Sequence, residues 1–172
     1  MGRELKLALR GGFVAIGSAS ESAPYRAHAV GGAERLAAMA SESYGWLMRT
    51  AGDLGIRAAE AIRRRFGRCD AWVKEDRTWV SQADGQAQAI IVEGISRRYP
   101  DHAILAEETM TASASRPNVR SARFCWVIDP LDGTHNFVRG TPIFGVSIAV
   151  LDDGAPAAAA VVDVMTGIVY LA

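Results

Sequence analysis

The amino-acid sequence predicts an α+β protein in which helices come first and an antiparallel meander comes last. Three observations predict it. Apolar residues recur at helical spacing within 33–66 and again within 85–99. Two short apolar runs, "AILAEE" and "FCWVID", each stop at carboxylates. After them come three strand-like runs, "IFGVSIAVL", "AAAAVVDV" and "IVYL", with turn signals at "DDG" and "MTG".

Taken in order, residues 1–31 are rich in Gly, Ser and Ala without a clear period, which predicts a poorly ordered extension ahead of an α+β part spanning 32–172. Arg10 and two glycines interrupt the early apolar run, and Lys6 stands where myristoylation needs Ser or Thr. No segment is long and apolar enough to span a membrane. The first helix places Leu47, Met48, Ala51, Leu54, Ala58, Ala59 and Ile62 on one stripe. Its Arg63–Arg65 end reads as solvated and favoured by the helix dipole, and Gly67 as the stop. "DAWVKEDRTWVSQAD" reads as a mixed loop, with Lys74 either solvated or aimed at an acidic centre. Asp84 sits where the N-cap of the second helix belongs, and Pro100 ends that helix. "TASASRPNV" is a polar loop between the two acid-terminated strands. Trp72, Trp79 and Trp126 are expected to fill core or loop packing, and His28 and His102 have no supporting cluster.

At 172 residues, 49% apolar and 22% charged, the chain suits one globular domain or slightly more. The net charge is zero but uneven. Residues 1–70 carry 11 Lys and Arg against 7 Asp and Glu, while 71–172 carry 8 against 12. An acidic excess in the half that holds the motifs suits cation binding and argues against a nucleic-acid surface, although a solvated acidic face explains the count equally well. Cys69 and Cys125 form neither a disulfide framework nor a CxxC spacing, and reduced thiols suit a cytoplasmic location.

Three carboxylate groups end or flank the predicted elements: Asp84, the pair Glu107 and Glu108, and Asp129 with Asp132. Strands disfavour acids unless something neutralises them, and hard divalent cations such as Mg²⁺ select oxygen donors. Gly133 permits a sharp turn and close approach, and a helix starting at Gly133–Thr134 offers free N–H groups to an anion. Cations beside an anion seat point to phosphoryl chemistry, with Thr134 bonded to a water and a carboxylate taking its proton. No Ser or Cys nucleophile with a matched His is apparent, so water is the better nucleophile. "DPLDG" by itself also resembles an ordinary Asp–Pro turn, and His135 reads as a surface residue near the site. The haloacid dehalogenase phosphatases use D-x-D-G-T; the spacing here is D-x-x-D-G-T, which places the carboxylates differently around the turn.

"DPLDGTHNFVRGTPIFGVSIAV" closely resembles the signature of the inositol monophosphatase family, D-P-[IL]-D-G-T-x-N-F followed by P and V-S-I-A. "WVKEDRTWVSQAD", "RRYPDHAILAEET" and "VVDVMTGIVYLA" resemble the family's mobile loop, its Y-P-x-H and E-E segments, and the next hairpin. The resemblance implies a layered α/β/α/β/α sugar-phosphatase fold, of which this chain would supply roughly the first half. It implies Mg²⁺-dependent hydrolysis of a small phosphate monoester, with two or three cations per site. Glu107, Asp129 and the carbonyl of Leu131 would hold the first cation, and Asp129 and Asp132 the second. Asp84 and Thr134 would orient and deprotonate the water, the backbone of Gly133 and Thr134 would seat the phosphate, and Glu107 would also face a weaker third cation. Inositol monophosphate is the expected substrate. Fructose 1,6-bisphosphate, histidinol phosphate and 3′-phosphoadenosine nucleotides are the alternatives, and dimerisation is common in the family.

The sequence departs from the family at Ala106, usually Gly, at His135, commonly a small hydroxyl residue, and at Trp79, often Pro. Family members also continue to a W-D-x-A-A-G motif whose Asp completes the second metal site. A chain ending at Ala172 is thus expected either to be one portion of such an enzyme or to bind metal and phosphate weakly without turnover. Its last strand, "IVYL", would then expose an edge.

Overall fold

A computed structural model describes residues 6–10, 13–17, 26–29, 44–68, 71–73, 79–107 and 122–172, with 6–29 and 73 as backbone only. Strands β1 (Lys6–Arg10) and β2 (Phe13–Gly17) form an antiparallel hairpin. A six-stranded sheet follows the order β3-β10-β9-β8-β7-β6. Its members are β3 (Arg26–Ala29), β6 (Ala103–Ala106), β7 (Phe124–Asp132), β8 (Gly145–Asp152), β9 (Ala155–Asp163) and β10 (Ile168–Leu171). The run from β8 to β10 is the expected antiparallel meander; β7 joins it antiparallel to β8, while β6 lies parallel to β7. Asp153, Gly154 and Gly167 take positive φ at the two turns that "DDG" and "MTG" mark. The remaining expectation for residues 1–31, along with Lys74, Cys69, Glu108 and the "TASASRPNV" loop, lies outside the described residues. Among the described residues no helix is long and apolar enough to cross a membrane.

Two helices cover one face of this sheet. Helix α1 (Gly45–Arg65) lies against β8, β9 and β10, and α2 (Gln82–Arg98) lies against β7 and α1. The covered face follows the period-2 pattern of strands: Trp126 and Ile128, Val146, Ile148 and Val150, Ala158, Ala160 and Val162 are all buried. They meet Leu47, Met48, Ala51, Leu54, Ala58, Ala59 and Ile62, the stripe expected from sequence. At Gly55 the helix sits so close to β9 that a Cβ would fall 2.8 Å from Val162 Cγ2. Of the alternate positions, Val161 and Tyr170 are exposed, while Val127, Ser147, Ala149 and Ala159 are half-buried.

Four expectations are corrected here. The mixed loop is a short hairpin, β4 (Ala71–Val73) paired with β5 (Trp79–Ser81), because Trp and Val alternate on both arms. Arg63 and Arg65 are not simply solvated. Arg63 Nε donates to the Val164 carbonyl at 2.9 Å, and Arg65 donates to Gln82 and Gln86 of α2. The edge of "IVYL" is not open, because β3 pairs with β10 in parallel, Arg26 to Ala29 against Ile168 to Leu171. The core alternative fails for Trp72 and Trp79, which are 52% and 36% exposed and keep only the loop-packing one, whereas Trp126 is buried.

His102 belongs to a cluster after all. Its ring stacks on Tyr99 at 4.9 Å, and its Nδ1 accepts a hydrogen bond from Trp126 Nε1 at 3.0 Å. Burial pulls its pKa below the ordinary 6.5, opposed by the charge of Asp101. Only neutral His102 can accept from Trp126, so this contribution to stability is complete above the ordinary value. It is lost as pH falls through the lowered one. The urea midpoint is therefore expected to fall on acidification just below pH 6.5, and His102→Gln to flatten that slope. An unchanged slope in the variant would contradict the assignment.

Candidate active site

The site begins where β5 turns into α2. Ser81 is extended (φ −128°, ψ 168°), and its Oγ accepts from the Ala83 N–H at 3.1 Å. Asp84 Oδ2 accepts in return from the Ser81 N–H at 2.8 Å and from the Ser81 hydroxyl at 2.6 Å. This is a reciprocal capping box. It corrects the expectation that Asp84 is the N-cap: Ser81, still extended, can reach the free amide of the first turn, whereas Asp84 already lies inside that turn. The "SQAD" spacing carried this signal. Asp84 is only 1% exposed, and its other oxygen, Oδ1, accepts from Thr134 Oγ1 at 2.9 Å. The same Thr134 hydroxyl lies 2.9 Å from the Leu131 carbonyl, so one proton serves two acceptors.

The second part is the shared end of β6 and β7. Ala103 to Ala106 run parallel to Cys125 to Ile128, so the next residue on each strand, Glu107 and Asp129, arrives at the same end. There the Glu107 carboxyl acts on that of Asp129 through its charge and by direct contact. Between Asp129 and Asp132 the pairing with β8 shifts register, and Pro130, which has no N–H to give the ladder, falls within that bulge. The Leu131 N–H turns back to Asp129 Oδ1 at 3.1 Å. Burial, then the charges of Glu107 and Asp132 and the contact with Glu107, push the Asp129 carboxyl up to about 7, against the pull of the Leu131 amide.

Gly133 then takes φ +88° as the N-cap of the short helix α3 (Thr134–Val138). A Cβ there would sit 3.1 Å from the Ile143 carbonyl oxygen and 3.3 Å from Phe144 Cα, so both the conformation and the space call for glycine. Asn136 Nδ2 donates to the same Ile143 carbonyl at 2.8 Å and ties α3 to the approach to β8. His135 is exposed, and its ring centroid lies 6.4 Å from that of Trp79.

Thus Asp84 and Thr134 are joined directly, Leu131 through Thr134, and Glu107 with Asp129 as a pair. Asp132 is exposed and acts on Asp129 through its charge. Among the described residues no three carboxylate, imidazole or thiol side chains close to metal-binding spacing. The donor chemistry nevertheless fits a hard divalent cation: three carboxylates and a carbonyl, all oxygen, one of the acids, Asp129, being driven toward protonation by burial and the charges of the other two. Ser81 and the Trp79–His135 contact had no place in the sequence-derived site.

An acid-ended pair of parallel strands, a capped helix and a glycine turn, set in a sheet with two helices on one face, define an α+β protein with a carboxylate centre. The chain belongs to the inositol monophosphatase family, whose model matches residues 47–172. It is similar to the inositol-1-monophosphatase of Synechocystis, 51% identical over 78 residues, which cover 45% of this chain and 25% of that protein. It is also similar to Nus factor SuhB of Vibrio cholerae, 43% identical over 99 residues, covering 58% and 35%. Among solved structures, the extragenic suppressor protein suhB of Bartonella henselae superposes with a TM-score of 0.65 at 28% identity, covering 73% of this chain and 48% of that one. The α+β fold of these relatives is therefore the fold of this chain, which spans less than half of their length.

Proposed function

We propose that the chain carries the cation- and phosphate-binding part of a Mg²⁺-dependent phosphomonoesterase whose substrate is inositol monophosphate. One observation supports this above the others. A buried carboxylate, Asp84, is bonded to the Thr134 hydroxyl beside the strand end that delivers Glu107 and Asp129. An Asp–Pro turn alone needs no such partner from another element.

In this reading Glu107, Asp129 and the Leu131 carbonyl hold a first Mg²⁺, Asp129 and Asp132 a second, and Glu107 faces a weaker third. Bound there, the cations neutralise the phosphate and lower the pKa of a water. The Thr134 hydroxyl donates to Asp84 and so presents its lone pairs outward, where they accept a hydrogen bond from the attacking water. Asp84 receives the proton through that hydroxyl, held in place by the two Ser81 bonds. The backbone N–H groups at Gly133 and Thr134 seat the phosphate, with the left-handed turn of Gly133 setting their direction. The purified chain is expected to release phosphate from myo-inositol 1-phosphate in Mg²⁺ and to stop in excess chelator. Release that continues in chelator would refute the proposal.

A further inference from the structure

Asp129 makes the last regular pair of β7 with β8 before the register shift, and Ser147 lies directly across from it. Residues opposite one another in an antiparallel pair point to the same face, their Cβ atoms about 4.5–5.5 Å apart. Their chain neighbours fix which face this is. Ile128 on one strand, and Val146 and Ile148 on the other, are buried under the helices, so Asp129 and Ser147 point away from them. Within the sheet Asp129 therefore has an acid on one flank, Glu107 at the end of β6, and a hydroxyl on the other.

That hydroxyl is out of keeping with its surroundings. On the same face Val127, Ala149, Ala159 and Val161 are apolar, and a β-branched residue suits a half-buried strand better than serine. Among the described residues Ser147 Oγ makes no hydrogen bond, whereas the Thr134 hydroxyl already serves Asp84 and the Leu131 carbonyl. Asp129 Oδ1 takes the Leu131 N–H, and ionised Glu107 and Asp132 have no proton to offer the rest of the carboxylate. Resting on the cation site proposed above, we infer that Ser147 is a positioning residue for it: the hydroxyl donates to the Asp129 carboxylate, directly or through one bound water, and holds it turned toward both cations. A carboxylate shared by two cations must keep both oxygens aimed, and a hydrogen bond from a neighbouring side chain removes the rotation that would spoil this. Little freedom is lost in forming it, because the sheet already fixes both backbones.

Threonine and valine have the same shape and differ by the hydroxyl, so they test the role without turnover. In calorimetric titration of the full chain with Mg²⁺ alone, Ser147→Val is expected to weaken binding by roughly 10–100-fold. Ser147→Thr should bind close to the native value. Urea midpoints without metal should be unchanged or raised in both, since β-branched residues favour the strand. Ser147→Ala, which removes the hydroxyl and adds no bulk, should repeat the loss seen with valine. A valine variant that binds Mg²⁺ like the native chain, or a threonine variant as weak as the valine one, would overturn the inference. The two readings fail separately. Mg²⁺ affinity that depends on the Ser147 hydroxyl without phosphate release removes the phosphatase and leaves the positioning role. Mg²⁺-dependent release with native affinity in Ser147→Val removes only the role, and a native chain that takes up no Mg²⁺ removes both.

Discussion

Asp129→Asn is expected to silence Mg²⁺-dependent phosphate release by at least about 10³-fold, beyond the roughly 10–100-fold that loss of an outer-shell ligand partner costs. The substitution keeps the shape and removes the charge shared by both proposed cations. Stability is expected to move the other way. The Asp129 carboxyl is pushed up to about 7, so the folded chain without cation carries no penalty from it below the ordinary carboxylate range. The penalty grows as pH rises and is complete above about 7. At pH 8 the metal-free Asn variant should therefore be at least as stable as the native chain, with the difference vanishing near pH 4. Adding Mg²⁺ should reverse the order, since a ligand at 100 times its Kd stabilises the binding-competent protein by about 2.7 kcal/mol. Thermal midpoints measured with and without Mg²⁺ at the two pH values separate these effects. A native chain that shows no Mg²⁺ shift, or a variant that shows the same shift, would remove Asp129 from the cation site.

Trp126→Ala carries the largest expected cost to folding, about 3–5 kcal/mol, against a total of about 5–15 kcal/mol for a typical domain. The indole is fully buried, stacks near Tyr99 at 5.6 Å and gives its N–H to His102. Removing it leaves a cavity and an unpaired His102 nitrogen together. Trp126→Phe keeps most of the volume and loses the hydrogen bond, so a smaller cost is expected. Urea midpoints at constant slope measure both. Trp126 pairs with Ile104 on the parallel strand, three residues short of Asp129. Loss of packing there should also loosen the strand ends that bring Glu107 and Asp129 together. An alanine variant within about 1 kcal/mol of native would mean that the sheet is not built around this side chain.

The meander was legible because its signals are local. Alternation through "GVSIAVLD" and the glycines after each turn act within a few residues, and the Leu47–Ile62 stripe has an unmistakable period. The acids at the ends of "AILA" and "FCWVID" were legible for a similar reason: a charge that stops a strand requires an explanation. What the chain concealed depends on partners far apart in sequence. Arg63 read as solvated because the Val164 carbonyl that accepts from it lies 101 residues away. The edge of β10 read as open because its neighbour, Arg26 to Ala29, lies in a stretch with no strand period. Asp84 was placed one helical turn wrongly, since an Asp at N3 and an Asp at the N-cap look alike until the Ser81 torsions are known.

That last detail bears on how the molecule can change. Asp84 answers to two masters, the start of α2 and the proton it is proposed to take, and both bonds from Ser81 fall on the oxygen opposite the one that faces Thr134. An amide at this position could still end the helix but could not be a base; an alanine could do neither. The two losses are therefore separable by choice of side chain. The acid itself cannot drift along the chain, because moving it by one residue breaks the cap as well. Any lineage or designer wishing to shift the base must first give the helix another beginning.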